Sequence, residues 1–490
     1  MLLNYLLALL SGALLFLVHP RFNLWFLAPV AIAPLLYALS REWVPKHRFL
    51  LGYVTGVTFW AGVNYWIQFV ISVHGHLGDV WGSVVWVLFC LAKGLYLGVF
   101  GALAGVLIQK RYAVLAIPAL WTGIERIPGP FAYTWLTLGN AGIDMALPMR
   151  LAPFTGVYGL SFLFAVFGTA IAWIALRRPR IALSPLVLAP LLVVLPELPA
   201  PQRPDRSAVT VQPNVTERDN WTEPEAQQLH QKLEVLTLQA GLHPPAPDVA
   251  LWPEMPAPVY YFEDTQLRDR LRNVARFVKA PLIIGTVGQN DKKAFLNSAI
   301  QISATGELKG RYDKIFLVPF GEFIPFPFKG LVGKIASEIG DFEPGARVTT
   351  FDLGEQKLGA FICYESAIPH LVRQFAAEGA SVLVNLTNDG YFGTTAAREQ
   401  HMSLVRMRAA ENRRWILRST NDGLTASIDP AGRVIQTLKP QVEESGRLQF
   451  SYVRETTAYS KYGDIFAWVC LTSAVAFLIY SQMPSFSRGG

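Results

Sequence analysis

Charge is scarce in this chain. Only 16% of its 490 residues are Asp, Glu, Lys or Arg, against 52% hydrophobic, a balance that excludes an ordinary soluble protein. Cysteine is scarcer still. Three residues cannot build a disulfide framework, and Cys90 and Cys470 fall inside apolar runs, so Cys363 is expected to stay an unpaired thiol even in an oxidising compartment. No group of His, Cys, Asp or Glu has metal-ligand spacing and no glycine-rich phosphate loop follows a strand, so neither a metal nor a nucleotide cofactor is expected. Internal repeats and low-complexity tracts are also lacking. The net charge of +7 does not signal nucleic acid, because many Lys and Arg lie in short clusters beside apolar segments, where they orient helices.

What the chain has in abundance is apolar sequence, unevenly spread. Charge is sparse up to Leu195, ordinary from Arg203 to Lys461, and sparse again from Ile465 to Tyr480. Seven runs long enough to span a membrane, or nearly so, precede the charged part: Leu2–Val18, Leu24–Leu39, Phe49–Val73, Val80–Leu107, Tyr112–Ile124, Leu160–Leu176 and Ile181–Leu195. Ile465–Tyr480 makes an eighth. The first run has no basic segment before it and leads straight into another, so it reads as a helix and not as a signal peptide. Basic clusters after runs two (Arg41, Lys46, Arg48), four (Lys110, Arg111) and six (Arg177, Arg178, Arg180) mark those loops as cytoplasmic. An odd number of spans then puts the residues after Pro196 outside. The expected division is a seven-helix membrane bundle over 1–196 with an extracytoplasmic arm at 126–158, a catalytic domain over 205–460, and an eighth transmembrane helix at 464–482. Inside the bundle, Lys93 stands in an apolar helix at a cost of roughly 2.5–3.5 kcal/mol or more unless paired or wet. It either lines a cavity or snorkels to the interface. The arm, rich in aromatics and broken by prolines, is expected to lie against the bilayer.

The charged part opens after a proline-rich linker, Pro196–Pro204. Its β-rich runs include Ala208–Val211, Val249–Trp252, Leu282–Thr286, Leu358–Cys363 and Ser381–Leu386, with helical stretches at Glu225–Ala240, Gln266–Phe277 and Ala397–Asn412. Strands alternating with helices predict a layered α/β or α+β domain.

Three segments end such runs with a reactive side chain: Trp252-Pro253-Glu254, Arg311-Tyr312-Asp313-Lys314 and Ile362-Cys363-Tyr364-Glu365. Taken alone, Cys363 is more readily explained by packing than by catalysis. A thiol nucleophile needs a proton acceptor and a positive charge for the oxyanion formed on attacking a carbonyl. Glu254 and Lys314 can supply them. Read singly, Trp252 and Tyr364 are core aromatics, Glu322 a surface carboxylate and Trp221 a loop residue.

The ordered motifs WPE, YDKIFLVPFGE, ICYE, NLTNDGYFG and RAAENRRW resemble the nitrilase, or carbon–nitrogen hydrolase, superfamily with its Glu-Lys-Cys triad. Eight spans around one such domain, with GVYGLSFL before span six, look like its apolipoprotein N-acyltransferase branch over essentially the whole chain. The resemblance implies an α-helical membrane bundle plus a four-layer α-β-β-α sandwich, with Glu254 as general base, Lys314 as oxyanion-stabilising residue and Cys363 as nucleophile. It also marks Glu322, Tyr364, Glu365 and Trp221 as supporting residues. Tyr391 departs from the family's usual tryptophan, and Phe131–Asn140 matches the family's aromatic arm only loosely, so no lipid contact is carried over from it. The implied reaction moves an acyl chain from a membrane phospholipid to the Cys363 thiol and on to the α-amine of a lipoprotein's diacylglyceryl cysteine. The implied place is the bacterial cytoplasmic membrane, with the catalytic domain in the periplasm.

Each buried CH₂ is worth about 0.8 kcal/mol, so an enzyme moving such a chain is expected to open towards the bilayer. The Phe- and Pro-rich stretch 319–328 is expected to act as a lid that dips into the interface. Three other readings compete: an amidase with the same triad, a Cys–His enzyme pairing Cys363 with His401 and Asn412, and a transporter or sensor with an extracytoplasmic binding domain.

Overall fold

A computed structural model describes residues 1–178, 180–201, 203–216, 221–255, 259–324 and 342–483. The chain forms two compact units, one made of Met1–Leu198 with the C-terminal segment from Tyr462, the other of Pro199–Lys461.

In the first unit the helices are α1 (Leu2–Leu17), α2 (Ala33–Ser40), α3 (Pro45–Val63), α4 (Trp66–Val73), α5 (Gly78–Leu107), α6 (Ala113–Arg126) and α7 (Val157–Ala175). α5, α7 and the C-terminal helix Ile465–Gln482 are long and apolar enough to cross a membrane; α1 and the segment Trp25–Ser40 are shorter apolar helices. The run expected over Phe49–Val73 is two helices, parted at Asn64–Tyr65. α3 and α5 pack backbone to backbone. A methyl group on Gly52 would come within 2.1 Å of the Leu97 carbonyl oxygen, and one on Gly101 within 2.6 Å of that of Arg48. Small residues serve this purpose where water supplies no drive for helix association.

The arm after α6 is folded into its own unit, with Tyr133, Trp135, Leu136, Leu138, Asn140 and Ala141 buried. Irregular backbone at such a place must find its hydrogen bonds within the protein. Tyr96 donates to the Ile127 carbonyl (2.9 Å) and Lys93 Nζ to that of Tyr133 (2.8 Å). The Leu138 and Gly139 amides donate to Glu125 (2.9 Å) and Ser161 (2.8 Å). Lys93 is 2% exposed, its ammonium 4.5 Å from the ring centre of Trp60. It therefore does not snorkel. It is an internal tie for the arm.

The second unit is an α-β-β-α sandwich of two six-stranded sheets, ordered β12-β1-β2-β3-β4-β5 and β11-β10-β9-β8-β7-β6. The strands of the first are β1 (Arg206–Gln212), β2 (Val249–Leu251), β3 (Leu282–Gln289), β4 (Phe295–Ile302), β5 (Leu308–Asp313) and β12 (Glu444–Phe450). Those of the second are β6 (Thr350–Leu353), β7 (Gln356–Ile362), β8 (Val382–Thr387), β9 (Ile416–Thr420), β10 (Ala426–Ile428) and β11 (Val434–Thr437). β1, β2 and β3 run parallel, as do β7, β8 and β9. These strands are buried on both faces, which is why they read as nearly continuous apolar runs.

Helices α8 (Glu223–Gly241) and α9 (Thr265–Val278) cover the first sheet, and α10 (Pro369–Ala377) and α11 (Ala397–Asn412) the second. Local chemistry sets their ends: Thr222 and Glu225 form a capping box at α8, and Asp264 accepts from the Leu267 amide at α9 (2.9 Å). The core of the outer layer joins Leu229, Leu233, Leu267, Leu271 and Trp252. Between the sheets, Thr210 and Ser419 hydroxyls meet at 3.1 Å, fully buried.

Candidate active site

The parallel strands end on one side of the sandwich, where open α/β layers carry their chemistry. Glu254 lies three residues after β2, and Lys314, Cys363 and Asn388 directly follow β5, β7 and β8. The segment before Lys314 is not an apolar run. It is an edge strand with only Tyr312 fully inside, kept in place by pairing with β4.

Lys314 is 1% exposed and lies between two carboxylates, 3.2 Å from Glu254 Oε1 and 2.8 Å from Glu322 Oε1. Asn297 Nδ2 donates to the same two oxygens at 2.8 and 2.9 Å, and the Asn297 carbonyl accepts from the Lys314 amide at 2.8 Å. One asparagine thus sets the spacing of the whole charged group. The second oxygen of Glu254 accepts from the Asn388 amide (3.0 Å), and that of Glu322 from the Val318 amide (2.8 Å). The turn 318–323 aims Glu322 inward; of the expected lid, residues 325–328, with Phe326, lie outside the described residues. Burial would lower the Lys314 ammonium, but Glu254 and Glu322, with the Cys363 sulfur, lift it well above its ordinary value.

Cys363 sits at the sharp exit from β7 with φ +49°, in the left-handed region, and is partly accessible. Burial around its sulfur pushes the thiol up, and the Glu254 charge adds to this. The Lys314 ammonium and a hydrogen bond with Thr387 pull it back only in part. A thiol raised in this way needs a base to take its proton before it can act as a nucleophile.

Glu365 is fully buried below this turn. Its Oε1 accepts from the Tyr312 hydroxyl (2.7 Å) and the Ile315 and Phe316 amides (2.7 and 3.2 Å), and its Oε2 from the Ile362 amide (2.7 Å). It therefore joins the Lys314 segment to the Cys363 turn. Tyr364 is buried beside it. Trp221, partly buried, packs on the apolar layer that includes Trp252, whose indole donates to Thr237 (2.8 Å).

His401 does not serve the thiol. Its Nε2 lies 3.0 Å from the Cys363 carbonyl oxygen, and its Nδ1 3.0 Å from Asp389 Oδ1. Asn412 is engaged with the Arg408 carbonyl and Ser460. The Cys–His reading therefore has no geometry behind it.

Asn297, Thr387 and Arg418 were not among the residues expected at the site. Each is a polar residue in a buried strand, and Arg418, a charge in the middle of β9, was the strongest available signal. Which group it neutralises, Asp389 at 2.9 Å, is a matter of tertiary structure.

Two sheets layered between helices, with a carboxylate, an ammonium and a thiol at the strand ends, define a domain of the carbon–nitrogen hydrolase class. Residues 208–458 match the carbon–nitrogen hydrolase family, and residues 11–170 the apolipoprotein N-acyltransferase N-terminal domain. The chain belongs to the apolipoprotein N-acyltransferase family. It is 34% identical to the apolipoprotein N-acyltransferase of Geobacter metallireducens, over 96% of this chain and 94% of that protein. It is 28% identical to that of Thermotoga maritima, over 97% and 93%. Among solved structures, an amidase of Nesterenkonia AN1 from the nitrilase superfamily matches 53% of this chain and 95% of its own, with 18% identity and a TM-score of 0.40.

Proposed function

We propose that the protein is an acyltransferase that moves a fatty acyl chain from a membrane phospholipid to the α-amine of a lipoprotein's diacylglyceryl cysteine, through a thioester on Cys363. The observation that carries this reading is the buried group of Glu254, Lys314 and Glu322 beside the Cys363 thiol, in a chain that also has helices able to hold it in a membrane. The Cys363 sulfur attacks the ester carbonyl while Glu254 takes the thiol proton, and Lys314 stabilises the tetrahedral oxyanion. Collapse breaks the C–O bond, and the lysophospholipid alkoxide leaves with the proton from Glu254. The lipoprotein amine then attacks the thioester, Glu254 accepts its proton, and the returning sulfur takes that proton back. Glu322 holds the lysine and Glu365 the turn; neither exchanges a proton in the cycle.

Residues 1–196 and 464–482 are read as eight spans and residues 205–460 as the catalytic domain, on the periplasmic face of the bacterial cytoplasmic membrane. The positions of the basic loops support that orientation. The test is mass spectrometry of protein purified from membranes, then incubation with a diacylated lipopeptide. A fatty-acyl thioester on the Cys363 peptide, consumed as N-acyl lipopeptide appears, is expected. An adduct elsewhere would overturn the reading, and release of free acid with no N-acyl product would point to a hydrolase with the same triad.

A further inference from the structure

The nucleophile's turn is held at two points, and the mechanism above uses only one. Before Cys363, the Ile362 amide is tied to Glu365. After it, the Cys363 carbonyl faces His401 Nε2 at 3.0 Å. A left-handed backbone at a non-glycine residue costs about 1–3 kcal/mol and lasts only where the surroundings over-determine it. His401 is fully buried, and so are the two side chains at its other nitrogen, Asp389 and Arg418. Arg418 Nη2 meets both oxygens of Asp389, at 3.0 and 2.9 Å, and lies 3.0 Å from His401 Nδ1. The ring of Phe392 stands nearly at right angles to the imidazole, with 6.0 Å between the ring centres.

The same group reaches the base. Asp389 directly follows Asn388, whose amide binds Glu254 at 3.0 Å, and Thr387, which also bonds the Cys363 thiol, approaches Asp389 at 3.4 Å. Nucleophile and base thus hang from one buried hub.

We propose that His401 is a positioning residue for the acyl transfer: its Nδ1 accepts from Arg418, which Asp389 anchors, and it donates its Nε2–H to the Cys363 carbonyl and so keeps the thiol aligned with Glu254. This rests on the acyl-transfer reading above. It touches neither substrate nor proton, so its loss should slow bond formation and leave lipid binding alone. An error of about 1 Å in such an alignment costs roughly 100-fold in rate.

The test compares His401→Leu, which removes the donor, with His401→Gln, whose amide can stand where Nε2 stands. Two rates are read: carbamidomethylation of Cys363 by iodoacetamide, followed by peptide mass spectrometry, and thioester formation from phospholipid vesicles. His401→Leu is expected to lose about 100-fold in thioester formation and about 10-fold in alkylation, with KM for phospholipid within about threefold of wild type, and His401→Gln to restore most of both rates. Equal losses in the two variants, or a raised KM with kcat kept, would overturn the proposal. Should His401→Leu not fold, the isosteric Asp389→Asn reads the same link: about a 10-fold slower thioester step upholds it, and wild-type rates overturn it. If the wild type forms no thioester with phospholipid yet the alkylation order stands, the positioning role holds and the acyl donor has been misread.

Discussion

Glu365 holds its proton more tightly in the folded domain than in the unfolded chain. Burial raises its carboxyl from the ordinary 4.5 to about 7, against the pull of the Ile362 amide, the Tyr312 hydroxyl and the Ile315 amide. Between those two values the folded protein carries more protons than the unfolded one, so this group's contribution to stability is complete below pH 4.5 and is lost as pH rises through 7. The span is worth about 3 kcal/mol. The thermal stability of the wild type is therefore expected to fall from pH 5 to pH 8, and in Glu365→Gln that slope should flatten. The same variant turns an NH₂ group towards the Ile362 N–H, where two donors oppose each other. About 1–3 kcal/mol of stability is lost for the unmet bond, and thioester formation should slow with it. An unchanged pH slope in Glu365→Gln would show that another group governs the window.

The elements matter through how closely they let one another approach. Gly285 lies in β3 beneath the WPE segment, and a methyl group on it would stand 2.7 Å from the Pro253 carbonyl oxygen, 2.8 Å from the Met255 amide and 3.0 Å from the Glu254 Cα. All three are backbone, so none can swing aside. Gly285→Ala is expected to push the base outward by a few tenths of an ångström, costing about 1–3 kcal/mol of stability and at least about 10-fold in thioester formation. A fall in Tm with an unchanged thioester rate would mean that the segment adjusts without moving the carboxylate. Most elements around this site were legible in the sequence. Helix Ala397–Asn412 has the bounds expected of it, and the buried parallel strands announced themselves as apolar runs. β5 did not, because an edge strand gets its conformation from its neighbour and not from its own pattern.

At the scale of the whole molecule, a membrane helix bundle and a catalytic domain share one chain, and topology becomes the measurable property. In a Cys363→Ser background, cysteines introduced at exposed Glu378 and Lys46 are the probes. A membrane-impermeant maleimide applied to intact spheroplasts is expected to label Glu378→Cys fully and Lys46→Cys only after lysis. The reverse pattern would invert the orientation read from the basic loops. The polar groups of the bundle fit an apolar surround. Lys93, Tyr96, Glu125 and Ser161 supply, from three helices, the hydrogen bonds that the arm cannot make for itself.

By itself the sequence determined that the chain carries membrane-length apolar runs, that its charged part is layered α/β, and which side chains are candidates for the chemistry. These depend on periodicity, composition and short motifs, which are local along the chain. Only the tertiary structure decided what holds those side chains. Asn297 meets Glu254 across 43 positions, Tyr312 meets Glu365 across 53, and His401 reaches the Cys363 carbonyl across 38. A hydrogen bond needs placement to a few tenths of an ångström. For residues so far apart, that placement comes from the packing of two sheets and four helices, not from spacing in the chain.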